Sequence, residues 1–233
     1  MTDFHSHILP GIDDGSDSLE MSLEMLRMEA AQGIDVVVAT PHFYAGDESP
    51  ERFLQKREEA ETILRQAMKE EPDLPRLYVG TEVYYFRGIS RSEFLPQLTI
   101  QGTNCVLIEM PPAPWSEAMY RELLDIRERR GIIPIVAHMD RYLGTFRRYG
   151  IPERLGALPV LVQANTSFFL NAATARTAVK MLKKNQIQLL GSDCHNLTIR
   201  QPDMGDALHR IYKKMGRKAL DKLSNYEAIL FDF

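Results

Sequence analysis

Histidine is scarce in this chain, six among 233 residues, yet two of the six stand together as His5-x-His7. Alternate side chains of an extended segment face one side, so both imidazoles can reach a single ion. The same kind of position recurs further along. His42, Glu82, Glu109, His138 and the pair Asp193 and His195 each fall at or just past the C-terminal end of a segment that reads as a β-strand. Five of the six histidines share that placement, and His209 is the exception. In parallel α/β barrels the loops converge at this rim, which is where active sites assemble, so the coincidence points to a multimetal site rather than to scattered surface histidines. Asp14 joins the set from the turn-rich loop Leu9-Pro-Gly-Ile-Asp-Asp-Gly15, where one of two aspartates can point inward. Its neighbour Asp13 is read as a turn or capping residue.

Five neutral imidazoles and four carboxylates make nine donors, three for each of three divalent ions. Three such ions against four carboxylates leave the centre positive, which suits a phosphate dianion and a bridging hydroxide, whereas two would leave it neutral. With no cysteine among the strand-end ligands, the donor set favours manganese, iron, cobalt or zinc held by nitrogen and oxygen. Arg141 and Arg200 stand close in sequence to His138 and His195, and their guanidinium forks match phosphate oxygens, although either arginine can also serve as a structural counterion. Cys194 and Arg200 also satisfy the Cys-x5-Arg spacing of cysteine-dependent phosphatases. That loop lacks the glycines that let successive amides close round a phosphate, so the pattern is read as coincidental.

Elements that position these residues follow from hydrophobic period. Seven strands are expected, at Asp3–His5, Ile34–Ala39, Arg76–Glu82, Asn104–Met110, Ile132–His138, Pro159–Asn165 and Ile187–Ser192. Between and after them lie amphipathic helical patterns at Asp17–Gln32, Pro50–Lys69, Ser116–Arg130, Ala173–Asn185 and Asp203–Ser224. Alternating strands and helices of crossover length make a parallel α/β fold. In the first helix Leu19, Leu23, Leu26 and Ala30 form the expected core face, and the parallel stripe of Met21, Met25 and Met28 is read as ordinary packing.

Composition narrows the partners. With 44% hydrophobic and 26% charged residues the chain is an ordinary folded protein, and its length fits one domain spanning residues 1–233. Lys and Arg total 28 against 32 Asp and Glu, so no basic excess is present to neutralise a nucleic-acid backbone. No segment approaches a membrane span and no leader pattern opens the sequence, so a cytoplasmic location is expected, in keeping with only two cysteines.

The motifs Asp3-Phe-His-Ser-His-Ile-Leu-Pro-Gly-Ile-Asp-Asp-Gly15, Ala39-Thr-Pro-His42, Gly80-Thr-Glu82, Leu107-Ile-Glu109, Ala137-His-Met-Asp-Arg-Tyr142 and Gly191-Ser-Asp-Cys-His-Asn196 closely resemble the bacterial manganese-dependent tyrosine-protein phosphatases of the polymerase and histidinol phosphatase (PHP) superfamily, of the capsule and exopolysaccharide type. The resemblance runs in order to about residue 203 and is loose over the final thirty residues. It implies a distorted (β/α)7 TIM-like barrel with a trinuclear metal site at the C-terminal rim of its strands. It also implies hydrolysis of phosphotyrosine, by a metal-bridging hydroxide, on a partner kinase that governs polysaccharide export. Carried over by position, His5, His7, Asp14, His42, Glu82, Glu109, His138, Asp193 and His195 fall on the family's metal ligands, and Arg141 and Arg200 on its phosphate-binding arginines. Two departures are local. Asp140 stands where the family has Glu, which bears on how Arg141 is held, and Cys194 stands where Ala or Met is usual. Phe43, Tyr44, Tyr84, Tyr85, Phe86 and Tyr142 adjoin ligand positions; most are expected to be packing residues and the rest to flank the substrate ring. Two rivals are a small-molecule phosphatase such as histidinol phosphate phosphatase, and a noncatalytic metal-dependent binding protein, against which the full ligand set argues.

Overall fold

A computed structural model of the chain describes residues 1–144 and 149–231; residues 145–148 and the last two residues of the expected unit lie outside that description. Nine short parallel strands and eight α-helices alternate along the described residues. The strands are β1 (Thr2–Ser6), β2 (Val36–Ala39), β3 (His42–Phe43), β4 (Arg76–Val79), β5 (Glu82–Tyr84), β6 (Cys105–Glu109), β7 (Ile133–Val136), β8 (Leu161–Asn165) and β9 (Leu189–Gly191). The helices are α1 (Leu19–Ala31), α2 (Pro50–Met68), α3 (Glu117–Arg130), α4 (Ile151–Leu155), α5 (Thr166–Leu170), α6 (Ala175–Lys183), α7 (Met204–Met215) and α8 (Arg217–Phe231).

The strands form a curled parallel sheet in two hydrogen-bonded stretches, β1-β2-β4 and β3-β5-β6-β7-β8-β9. A parallel bridge between Ser6 and Cys194 brings the chain after β9 alongside β1, where the His7 amide donates to the Cys194 carbonyl at 2.9 Å. Beyond the expected end of the second strand at Ala39 the chain resumes as β3, and the expected third strand, Arg76–Glu82, is interrupted. Pro41 has no N–H to donate, and the ladder breaks there between β2 and β3. The neighbouring strand breaks in step between β4 and β5, so that Glu82 opens β5 instead of ending the third strand. Single bonds carry the pairing across both gaps, from Gly80 N to Ala39 O at 2.8 Å and from Glu82 N to Pro41 O at 3.0 Å.

Helix starts obey local chemistry. Ser18 caps α1 by accepting from the Met21 amide at 3.2 Å, and Ser49 caps α2 ahead of Pro50, whose fixed φ suits a first turn. The last helical pattern divides in two because Gly216, at φ +74°, turns the chain between α7 and α8. Helices α4 and α5, of one turn and a little more, are too short to leave a period in the sequence. The inward face of α1 also differs from expectation: Ser22, Met25, Leu26 and Glu29 are buried, while Leu19 and Leu23 are only half-buried. Met25 packs in the core as read, but the rotation brings a carboxylate inward.

Apolar residues divide into two bodies. A large cluster fills the space between sheet and helices, and a smaller one made by Phe4, Val38, Leu107, Ile135 and Leu189 fills the concave side of the sheet. Helix α8 closes the end of that smaller core opposite the strand C-termini: the Phe231 ring lies 5.7 Å from Phe4 and 4.5 Å from Tyr78. No helix among the described residues is long and apolar enough to cross a membrane.

Candidate metal centre

At the C-terminal ends of the strands the nine residues singled out by type and spacing meet. Their donor atoms fall into overlapping groups within which every atom lies within 4.8 Å of the others: His7, Asp14, His42 and His195; His5, Glu82 and His138; His5, His7 and Asp193; and His42, Glu82 and Glu109. Glu82 sits at the middle. One of its oxygens is 3.0 Å from His5 Nε2, 3.1 Å from His42 Nδ1 and 3.3 Å from His7 Nε2, and the other is 2.6 Å from His138 Nε2. Asp193 Oδ1 lies 3.5 Å from His5 Nε2 and 3.4 Å from His7 Nε2. Asp14 reaches in from solvent, its Oδ1 3.5 Å from both His42 Nε2 and His195 Nε2. Glu109 Oε1 is 3.6 Å from His138 Nε2.

Local backbone makes this convergence possible. His138 and Asp193 adopt positive φ, 31° and 56°, a conformation that L-residues hold only when their surroundings enforce it, and one that gathers at functional sites. The opening loop folds back onto the first strand so closely that a Cβ on Gly15 would lie 2.3 Å from the His7 carbonyl oxygen, leaving glycine as the only fit.

A supporting layer orients the imidazoles. Asp13, read from sequence as a turn residue, does accept from the Gly15 amide, but its other oxygen takes the His7 Nδ1 proton at 2.7 Å and the His42 amide at 3.0 Å. That contact fixes the His7 tautomer and leaves Nε2 facing the centre. His195 Nδ1 donates to the Asp193 carbonyl at 2.9 Å with the same result. Gln163 and Asn165, on β8, were not anticipated. Gln163 Oε1 accepts from the His138 amide at 2.6 Å, its Nε2 donates to Asn165 Oδ1, and Asn165 Nδ2 donates to Asp193 at 2.8 Å. The available signal was positional: β8 is the expected strand whose end carries no histidine or acid, and its polar residues alternate toward the rim.

Electrostatics agree with a cation-binding role. Burial pushes Glu82 up, but His5 and His138 outweigh it and hold the carboxyl well below its ordinary value; His5 and His7 act likewise on Asp193. Burial, with His7 and Arg200 nearby, pulls His195 down to about 4, which keeps that ring neutral and able to ligate. Buried His42 Nδ1, which faces Glu82, and His195 Nε2, which faces Asp14, have no hydrogen-bond partner, as atoms intended for an ion would not. Nitrogen and oxygen donors in this number, with imidazole lone pairs unclaimed, fit divalent ions well.

The amino-acid sequence matches the capsular polysaccharide synthesis CpsB/CapC family over residues 1–230. The chain belongs to this family. Among curated relatives it is 29% identical to the tyrosine-protein phosphatase CpsB of Streptococcus agalactiae, over 99% of this chain and 98% of that one. It is 28% identical to the tyrosine-protein phosphatase YwqE of Bacillus subtilis, over 93% of this chain and 85% of the relative. Its fold matches a crystal structure from work on YwqE from B. subtilis and CpsB from Streptococcus pneumoniae, described as metal-dependent tyrosine phosphatases, with a TM-score of 0.85 at 24% identity over 100% of this chain and 94% of that one.

In this CpsB/CapC chain both arginines lean on one candidate ligand: Arg141 reaches Asp193 at 2.7 Å and Glu109 at 3.0 Å, and Arg200 reaches Asp193 at 2.6 Å. They border a cleft of about 370 Å³ beside Asp193. Asp140 does not hold Arg141 directly; it accepts from the Asn165 amide at 3.1 Å. Among the aromatics, Phe43 and Tyr142 are buried packing residues, and the Tyr142 hydroxyl bonds the Met110 backbone. Tyr44 is exposed, 5.4 Å from the His42 ring and 5.6 Å from Tyr84. The Cys-x5-Arg loop is no phosphate cradle. Asn196 Oδ1 takes the amides of Thr198, Ile199 and Arg200, and Cys194 is buried, its thiol pushed well up by desolvation.

Proposed function

We propose that this chain is a metal-dependent protein-tyrosine phosphatase, a phosphoric monoester hydrolase. The observation that carries the reading is the meeting of nine nitrogen and oxygen donors within 4.8 Å groups at one rim, in a chain of a capsule-synthesis family whose relatives are named tyrosine-protein phosphatases. His5, His7, Asp14, His42, Glu82, Glu109, His138, Asp193 and His195 would hold three divalent ions, manganese first among iron, zinc and cobalt. Bound there, the ions would supply an activated water and offset charge on the phosphate. The chain's own groups do the rest. Asp13 and the Asp193 carbonyl hold Nδ1 protons on His7 and His195, keeping the rings aimed. Arg141 and Arg200 turn from Asp193 toward phosphate oxygens in the adjoining cleft, positioning the ester and neutralising its equatorial charge. Tyr44 and Tyr84, on the open side, flank the substrate ring.

The substrate is a phosphotyrosine protein, a kinase of polysaccharide export, met in the cytoplasm. One domain covers residues 1–233, a distorted (β/α)7 barrel. Counting β2 with β3 and β4 with β5 as interrupted strands leaves seven, and the Ser6–Cys194 bridge supports closure from last to first.

Hydrolysis of a phosphotyrosine peptide, measured before and after prolonged chelation and with manganese restored, tests the reading. Activity should vanish and return. Full turnover by metal-stripped protein would refute it, and a higher kcat/KM on histidinol phosphate than on the peptide would replace the substrate assignment.

A further inference from the structure

Where α1 packs against β1 and the segment after β9, a second group of acids is shut away from solvent. Asp3, Glu29 and Cys194 are each 0% exposed, and their donor atoms lie within 4.8 Å of one another. None of the three belongs to the ligand set of the rim. Asp3 is oriented by three donors, the His5 and Ser192 amides at 3.1 and 2.9 Å and the Ser192 hydroxyl. Glu29 is different. No donor reaches either of its buried carboxylate oxygens, and the polar group it meets is the Asp3 carboxyl. The charged groups that bear on it are Asp3 and Asp203, both acidic, and among the described residues no lysine, arginine or histidine faces it. Helix α1 buries Met25 and Leu26 on the same face, so apolar packing alone gives no reason for an acid at position 29. A buried acid that meets no donor and is aimed at another carboxyl group and a thiol has the donor set of a cation site.

We propose that Asp3, Glu29 and Cys194 form a separate buried site for one thiophilic divalent cation, zinc by preference. One sulfur and two carboxylates suit zinc better than calcium or magnesium, which take oxygen alone. Binding releases to solvent the Cys194 thiol proton and the proton that Glu29 shares with Asp3, and the ion then satisfies both Glu29 and the free acceptor capacity of Asp3. Ser192 holds Asp3 in place, as outer partners of a metal ligand do. The ion would tie α1 to β1 and to the loop carrying Asp193 and His195, directly behind the rim.

Sulfur makes the test specific, because the rim donors are nitrogen and oxygen only. The full chain, stripped of metal under reducing conditions, is titrated with cobalt(II) and separately loaded with zinc. Expected are a thiolate-to-cobalt charge-transfer band saturating at one equivalent and zinc–sulfur scattering at about 2.3 Å. Cys194→Ser should abolish both. Glu29→Gln, which alters no rim donor, should raise the cobalt concentration at half-saturation of that band at least about tenfold, roughly the loss of one charged ligand contact. Glu29→Met, compatible with a helix interior, is the second variant, and it should lose one metal equivalent per chain. Absence of any sulfur signature in the loaded wild type would overturn the site and leave the acids held by protons. A sulfur signature undiminished in both Glu29 variants would overturn it equally, since Cys194 would then be serving the rim.

Discussion

The two sides of the β1–β9 seam hold buried charge in opposite ways. At the rim, carboxylates face imidazoles and guanidiniums, and Glu82, Asp193 and Asp13 are all held below their ordinary values, Asp13 at about 2. Behind the seam, Asp3, Glu29 and Asp203 face one another, and burial raises all three, Asp203 to about 6. Depth alone does not set the sign, since Glu82 and Glu29 are both fully buried. The partners do. A carboxylate among bases stays charged and ready for a cation, whereas one among acids keeps a proton until a cation displaces it.

The largest effect should come from breaking the rim itself. His7→Ala or Glu82→Ala removes a donor shared by more than one group of ligands, so peptide turnover should fall further than the roughly 10–100-fold typical of losing an outer partner. Circular dichroism should still report a folded chain, because these side chains hold no apolar core. Near wild-type turnover in either variant would remove that residue from the centre. Asp13→Asn probes the supporting layer: losing the charged acceptor for His7 Nδ1 should weaken manganese binding about 10–100-fold, with turnover partly recovered in excess manganese. No change in the manganese dependence would return Asp13 to the plain turn role suggested by its sequence.

The contrast between Asp13 and Glu29 also shows what the sequence can and cannot disclose. The gathering of candidate donors was legible because chemistry restricts their types: imidazoles and acids at strand ends are rare by chance, and the nine do meet. The parallel α/β alternation was legible for the same reason, since buried strands and amphipathic helices carry different periods. The break at Gly80 splits a strand read as continuous from Arg76 to Glu82, and the short β3 beyond Pro41 lies outside the strand read to end at Ala39. Asp13 reads as a turn or capping residue because aspartates in glycine-containing loops commonly are, and it does bond the Gly15 amide. Its second oxygen acts across the fold, on His42, which no local spacing reveals. Glu29 was hidden by rotation of α1, where a shift of the buried stripe by one residue exchanges Leu23 for Ser22 and Ala30 for Glu29.

Arginine and cysteine in one loop sharpen the comparison of chemistries. Arg200→Ala should cost about 1.5–3 kcal/mol in kcat/KM through a lost charge-assisted phosphate contact, roughly ten- to a hundredfold. Cys194→Ala should keep at least about a tenth of wild-type turnover, a loss of no more than about 1.4 kcal/mol. Steady-state assays with manganese, alongside trapping for a phosphocysteine, decide it. A dead Cys194→Ala that retains its rim metals, or a trapped adduct, would overturn the assignment of roles.

The smallest effect tests the opposite signs directly, in metal-free protein. Asp13 has a folded value of about 2 against an ordinary 3.8, so the unfolded chain binds its proton more readily. Its contribution is complete above about pH 4 and is lost as pH falls toward about 2. Asp203, folded near 6 against 3.8, behaves in reverse. Between those values the folded chain holds a proton that the unfolded chain has released, so stability declines as pH rises through this window and the full penalty stands above about pH 6. Asp203→Asn abolishes that titration while keeping an acceptor for the Thr166 hydroxyl, which donates to Asp203 here. At about pH 4 the variant should match or fall below wild type, having weakened that bond. By about pH 7 it should be more stable, by on the order of 1 kcal/mol once the weaker bond is subtracted from the removed charge penalty. Urea unfolding of both proteins with chelator present at a series of pH values measures the difference. A stability gap that does not change across this range, or one that narrows in favour of wild type as pH rises, would mean that Asp203 is charged throughout and that the acids behind the seam are paired after all.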